Sequence, residues 1–170
     1  MTIAALDHGD EPMARAALLR CCGAGDWVDA MLHARPFVTR EGLHAAADQA
    51  FAPLAREAVF EAFSHHPRIG DLSELRDRFA STASWASGEQ QGAAQAQEST
   101  LEALAAGNAA YEARFGHRFI VCATGLSAHE MLARLESRLH HGAEEELRIA
   151  AAEQLKITHL RLDKLLEATG

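Results

Sequence analysis

Aromatic side chains are scarce in this chain, at 6% of 170 residues, and proline occurs only at Pro12, Pro36, Pro53 and Pro67. Sheets draw on aromatic and β-branched residues, so this poverty, set against abundant alanine, favours helices. Cysteine is sparse as well: Cys21, Cys22 and Cys122 make an odd set without CxxC spacing, which argues against a disulfide framework or a zinc site. Sequence neighbours such as Cys21 and Cys22 rarely bridge, and free buried thiols pack as small hydrophobes. Basic charge is also short, with 16 Lys and Arg against 24 Asp and Glu, a net charge of -8. That balance argues against nucleic acid, which needs a basic face. It leaves room for an anionic small molecule held by a local Arg or His. No apolar run approaches the roughly 20 residues of a membrane span. The segment from Met1 to His8 lacks the charged and apolar regions of a secretory signal, and Glu167 to Gly170 is not a peroxisomal address. A cytoplasmic protein with no membrane partner is the expectation.

What is present is helical periodicity. A hydrophobic fraction of 48% is ample for a core, and a single compact domain over 1–170 is expected. No repeat of 20–50 residues appears, so a solenoid is disfavoured. Asp10, Glu11 and Pro12 read as a carboxylate-capped helix start, running to the Gly23-Ala24-Gly25 break. Trp27, Met31 and Leu32 mark a second helix, and Thr39 caps a third carrying Leu43, Ala47 and Phe51. Beyond Pro53, the apolar positions Leu54, Ala58, Phe60 and Phe63 define a further helix ending near His65 and His66. Asp71 to Phe79 forms a short helix and Ser81 to Gly88 a polar connection. Glu89 to Phe115 is helical with a possible break at Gly107-Asn108, and Arg118 to Thr124 is an extended segment between helices. Ser127 and Glu130 have the form of a capping box. The last helix carries Leu147, Ala151, Leu155, Thr158, Leu162 and Leu166 as an apolar stripe, with Arg161 at its flank. The sum is an all-α bundle of seven to nine helices.

Among ten histidines, His66 stands out because Pro67 pushes its backbone out of the α region and onto a turn at a helix end. Turns held by rigid helices are common places for catalytic groups. Glu89 and Gln90 have a plain alternative as residues of a helix start, and Arg161 as a surface ion-pair partner. Two other classes of protein fit the same composition. Glu41 and His44 form an E-x-x-H, the spacing of di-iron bundles, although no second copy occurs. His140 and His141 beside Glu144, Glu145 and Glu146 are read as solvated polar surface. A helical interaction module without catalysis is the non-enzyme alternative.

Taken together, the motifs are specific. Cys22-Gly23, Trp27, Arg35-Pro36-Phe37, His66-Pro67-Arg68-Ile69-Gly70, Trp85-Ala86-Ser87-Gly88-Glu89-Gln90, Tyr111, Phe115-Gly116, Phe119 to Ala123, Glu153-Gln154-Leu155-Lys156-Ile157 and Arg161-Leu162 occur in order over nearly the whole chain. In these the chain resembles the OHCU decarboxylase family of urate degradation, named for 2-oxo-4-hydroxy-4-carboxy-5-ureidoimidazoline. The resemblance implies an all-helical, commonly homodimeric, cofactor-free and metal-free carboxy-lyase that yields (S)-allantoin and carbon dioxide. It makes His66 the catalytic histidine, with Glu89 and Arg161 as catalytic partners and Arg161 as the anion-binding arginine. Pro67 and Gln90 become substrate contacts, and Phe119, Ile120, Val121, Cys122 and Ala123 supply backbone contacts. The family pattern places a serine about three residues before its Glu-Gln pair. Ala86 stands there, flanked by Ser84 and Ser87, and Ser87 is the better candidate for a substrate contact.

Overall fold

The computed structural model describes residues 1–66, 72–79 and 90–167, with the side chains at 74, 78 and 90–96 left aside. They form two compact units, Met1–His66 with Ala151–Gly170, and Pro67–Ala150. Nine helices and no strand occur among the described residues, as the composition leads one to expect. None of those helices is long and apolar enough to cross a membrane.

The first unit is built from α1 (Ile3–His8), α2 (Glu11–Cys21), α3 (Gly25–His33), α4 (Arg40–Phe51), α5 (Arg56–Ser64) and the C-terminal part of α9 (Ala143–Glu167). The short α1 has little periodicity to announce it; Thr2 caps it by accepting from the Ala5 amide at 3.1 Å. Asp10 occupies the N-cap of α2, but its side chain makes no capping hydrogen bond. Pro12 in the first turn and the Glu11 carboxylate near the helix dipole support that start instead. Thr39 caps α4 as expected, accepting from the Gly42 amide at 3.0 Å. Leu18, Trp27, Met31, Leu43 and Phe63 are fully buried in this unit. The Trp27 indole is satisfied inside the core, donating to the Ala47 carbonyl at 3.1 Å.

The second unit contains α6 (Leu72–Phe79), α7 (Gln90–Phe115), α8 (Ala128–Arg138) and the first residues of α9. Its core joins Leu75 and Phe79 to Leu101, Leu104, Tyr111, Phe119, Val121, Met131 and Leu135. α7 runs through Gly107 without the expected break. A Cβ at Gly107 would come to 2.7 Å from Leu135 Cδ2, so this glycine serves the close approach of α7 and α8. Asn108 tolerates the helix interior because its amide donates to the Leu104 carbonyl at 2.8 Å. Both hydrogen bonds of the expected capping box, Ser127 with Glu130, open α8.

Candidate functional site

α5 ends at Ser64, and the chain turns through His65 and His66, whose amides donate to the Ala62 and Phe63 carbonyls at 3.4 and 3.2 Å. The His66 side chain is half-buried on that turn. Three side chains of α9 complete the arrangement at helical spacing: Gln154, Thr158 one turn on, and Arg161. His66 Nε2 lies 2.6 Å from Gln154 Oε1, and Arg161 Nη2 lies 3.4 Å from His66 Nδ1. Arg161 also donates through Nη1 to the Cys21 carbonyl at 3.3 Å, at the end of α2, where the helix dipole favours a cation.

Small residues let this turn approach. A Cβ on Gly23 would fall 2.2 Å from His65 Cγ and 2.6 Å from His65 Cβ, atoms too near the backbone to swing aside. Gly23→Ala is therefore expected to force the His65–His66 turn outward and to cost about 1–3 kcal/mol, the range for overpacking. A urea titration against wild type measures it. Burial pushes the Cys21 thiol up to about 11, the nearby Arg161 charge offsetting only part of it. Burial likewise raises Cys22, against the opposing Ala24 and Thr158 hydrogen bonds. Both thiols stay protonated at neutral pH and pack, as expected from sequence.

His66 and Arg161, paired in sequence only by resemblance, are thus brought together in the first unit. Phe119, Ile120 and Val121 are buried, and Cys122 and Ala123 partly exposed, in the second unit. Pro67, Ser84, Ser87 and Glu89 lie outside the described residues, and Gln90 is described only as the first residue of α7. His44 of the E-x-x-H turns to α9: its Nε2 meets Asp163 Oδ1 at 2.7 Å, and its ring stacks on His159 at 4.5 Å. His159 Nε2 in turn meets Asp48 Oδ1 at 2.6 Å.

Gln154 and Thr158 were not expected in any role at the site. The apolar stripe drawn along α9 holds at Thr158 and Leu162, which are fully buried, but not before them: there the fully buried positions are Glu146, Ala150 and Gln154, while Leu147, Ala151 and Leu155 are only half-buried. A glutamine and a threonine four residues apart, leading to an arginine on the same face, were the available signal. A second missed group lies in the other unit. Glu146, read as polar surface, is fully buried, and accepts from Arg138 Nε at 2.7 Å, from Arg138 Nη2, from the Tyr111 hydroxyl, and pairs with His141 Nδ1 at 2.9 Å. Burial works to raise its carboxyl, but those hydrogen bonds outweigh it and hold Glu146 below the usual carboxylate range. Tyr111 is pushed up by burial and by its carboxylate partner. Arg138 spends its remaining arm on the Ile120 carbonyl, at 2.6 Å, and lies 4.6 Å over the Phe119 ring. This network fixes the backbone of the extended segment.

The first unit thus presents a half-buried imidazole between an amide and a guanidinium, side chains able to move a proton and to hold an anion. The family model described as OHCU decarboxylase matches residues 8–163, and the chain belongs to that family. It is 36% identical over 147 residues to the "Uric acid degradation bifunctional protein TTL" of Arabidopsis thaliana, covering 85% of this chain and 45% of that protein. The chain thus spans about half the length of that plant relative. It is 31% identical over 128 residues to the 2-oxo-4-hydroxy-4-carboxy-5-ureidoimidazoline decarboxylase of Haloferax volcanii, covering 75% of this chain and 73% of that one. Among solved structures, an OHCU decarboxylase crystallised in the presence of (S)-allantoin superposes with a TM-score of 0.70 at 32% identity, covering 94% of this chain and 99% of that one.

Proposed function

We propose that this chain decarboxylates 2-oxo-4-hydroxy-4-carboxy-5-ureidoimidazoline to (S)-allantoin and carbon dioxide in urate degradation. The observation that carries the reading is the meeting of His66 and Arg161, which joins a proton-transfer group to an anion-binding group at one place. Family membership supplies the substrate.

The substrate suits such a site. One ring carbon carries both carboxylate and hydroxyl, and its neighbour is an imine carbon bearing the ureido group. As the carbon–carboxylate bond breaks, its electron pair forms a double bond to the neighbouring carbon and the imine electrons pass to nitrogen, which takes up a proton from the medium. The hydroxyl proton then leaves to give a carbonyl, and a proton is delivered to the ureido-bearing carbon. Carbon dioxide departs and one hydrogen takes the place of the carboxylate. Because the substrate supplies its own electron sink, the protein's tasks are orientation, charge placement and stereospecific proton delivery. Arg161 holds an anionic or carbonyl oxygen by charge-assisted hydrogen bonds. His66 moves the proton. The family resemblance assigns the ureido and ring N–H groups to Glu89 and Gln90, and gives Pro67, Ser87 and the backbone from Phe119 to Ala123 as further substrate contacts. The protein works in the cytoplasm as a homodimer, a state that light scattering on the purified chain tests directly.

Following urate oxidation products by circular dichroism tests the activity. Added protein is expected to make an optically active allantoin signal appear faster than the spontaneous reaction. Racemic product at the spontaneous rate would refute the assignment.

A further inference from the structure

We propose that Gln154, locked by Thr158, is a positioning residue that fixes His66 as its Nε2–H tautomer and leaves Nδ1 as the atom that exchanges the proton. The proposal rests on the decarboxylase reading for its consequence in turnover, but not for the tautomer itself. A short contact sets the tautomer and a longer one agrees with it. From one side, the Thr158 hydroxyl donates to the Gln154 carbonyl at 3.0 Å and accepts from Gln154 Nε2 at 3.2 Å. A hydroxyl has one proton to give, so the Gln154 amide presents its N–H to Thr158 and its Oε1 to His66. An acceptor 2.6 Å from His66 Nε2 requires that nitrogen to donate. From the other side, Arg161 Nη2 faces His66 Nδ1 at 3.4 Å, and a guanidinium can only donate. That long contact agrees with a lone pair on Nδ1 in the neutral ring, while the short Gln154 contact is what enforces it. Turning the Gln154 amide over would set N–H against N–H at Nδ1 and remove the Thr158 donation to the backbone.

Burial makes the lock strong. Gln154 and Thr158 are both fully buried, so neither has water as an alternative partner. Rotating the amide would strand polar groups at a cost, and no buried side-chain nitrogen or oxygen among the described residues lacks a partner. The consequence for the reaction is a direction. As the Arg161 N–H passes from Nδ1 to the substrate oxygen, Nδ1 takes the substrate's hydroxyl proton, and the charged ring then has N–H groups facing both Gln154 and the guanidinium. The second contact sets donor against donor, which favours passing the proton on to the ureido-bearing carbon.

The test combines nitrogen-15 NMR of the histidine rings with kinetics. In wild type, His66 is expected to show a protonated Nε2 and an unprotonated Nδ1 at neutral pH. Gln154→Leu should move His66 toward a mixture of tautomers and lower kcat by up to about 10²-fold, the penalty for a misplaced catalytic group, with KM changing far less. Placed on His66→Ala, the same substitution should cost nothing further, because Gln154 acts through His66. Thr158→Val gives a second reading should Gln154→Leu fold poorly, since it frees the amide without removing it; the same shift toward mixed tautomers is expected. The proposal is overturned if both variants keep the Nε2–H tautomer, or if Gln154→Leu loses equal activity with and without His66. The tautomer reading needs no substrate, so a failed decarboxylase assignment would be separately visible as absent turnover in wild type.

Discussion

His66→Ala is expected to lose about 10²–10⁴-fold in turnover, the usual contribution of one positioned acid or base, while unfolding at nearly the wild-type temperature. The two halves of that expectation have different origins. Turnover falls because no other described side chain offers a titratable nitrogen against Arg161 at this turn; His65, its neighbour, is exposed and packs along Gly23. Stability is spared because His66 is half-buried and follows the last turn of α5, so its removal opens no sealed cavity. Truncation does leave Gln154 Oε1 without its 2.6 Å partner, and water entering from the exposed side of the turn can replace it. The measurement is kcat and KM from the circular dichroism signal of allantoin, alongside a thermal melt. A fall in kcat with KM nearly unchanged marks a group engaged in the reacting state rather than in ground-state binding. Wild-type kcat in the folded variant would remove His66 from the mechanism.

Local signals were the legible part of the fold. Thr39 and the Ser127–Glu130 pair cap their helices as read, since a cap needs only residues three apart and a free backbone amide. Glycine was less legible. Gly107 has the same intrinsic penalty in any helix, yet it sits inside α7 because Leu135 comes so close, and that neighbour is remote in sequence. The α9 stripe shows the same limit more sharply. Thr158 and Leu162 are buried as the stripe predicts, but Leu147, Ala151 and Leu155 are only half-buried and Ala150 and Gln154 are buried in their place. A buried glutamine is affordable only when its amide is fully satisfied, and its partner His66 lies 88 residues away. Polar residues in the site are therefore hidden from periodicity for the same reason that they are useful. His66 and Arg161 could be paired in advance only through resemblance to a family, because each alone reads as an ordinary helix-end or surface residue.

Glu146→Ala is expected to destabilise the chain by about 3–5 kcal/mol, the range for removing one partner of a buried ion pair. At roughly 2–4 °C per kcal/mol for a chain of this size, that is a drop in Tm of roughly 6–20 °C. The cost arises from what is left behind. Arg138 is 7% exposed and loses the carboxylate that neutralises it, while Tyr111 loses the acceptor for a fully buried hydroxyl. If the uncompensated charge is the cause, removing it as well should help: Arg138→Met with Glu146→Leu should recover most of the loss, as apolar replacement of buried pairs often does. The sign with pH follows from the same contacts. The folded Glu146 carboxyl lies below its unfolded value, so its contribution is present above the ordinary carboxylate range and fades as pH falls through the lowered folded value. Acid unfolding of wild type should therefore steepen below about pH 4.5, and Glu146→Ala should flatten that limb. Activity carries a further consequence, because Arg138 also holds the Ile120 carbonyl and covers Phe119. Loosening Arg138 should raise KM, since the backbone of that segment is proposed to contact substrate. A single-mutant melt within 1 kcal/mol of wild type would show that Arg138 finds another partner, and the segment's order would then have to come from the packing of Phe119 and Val121 alone.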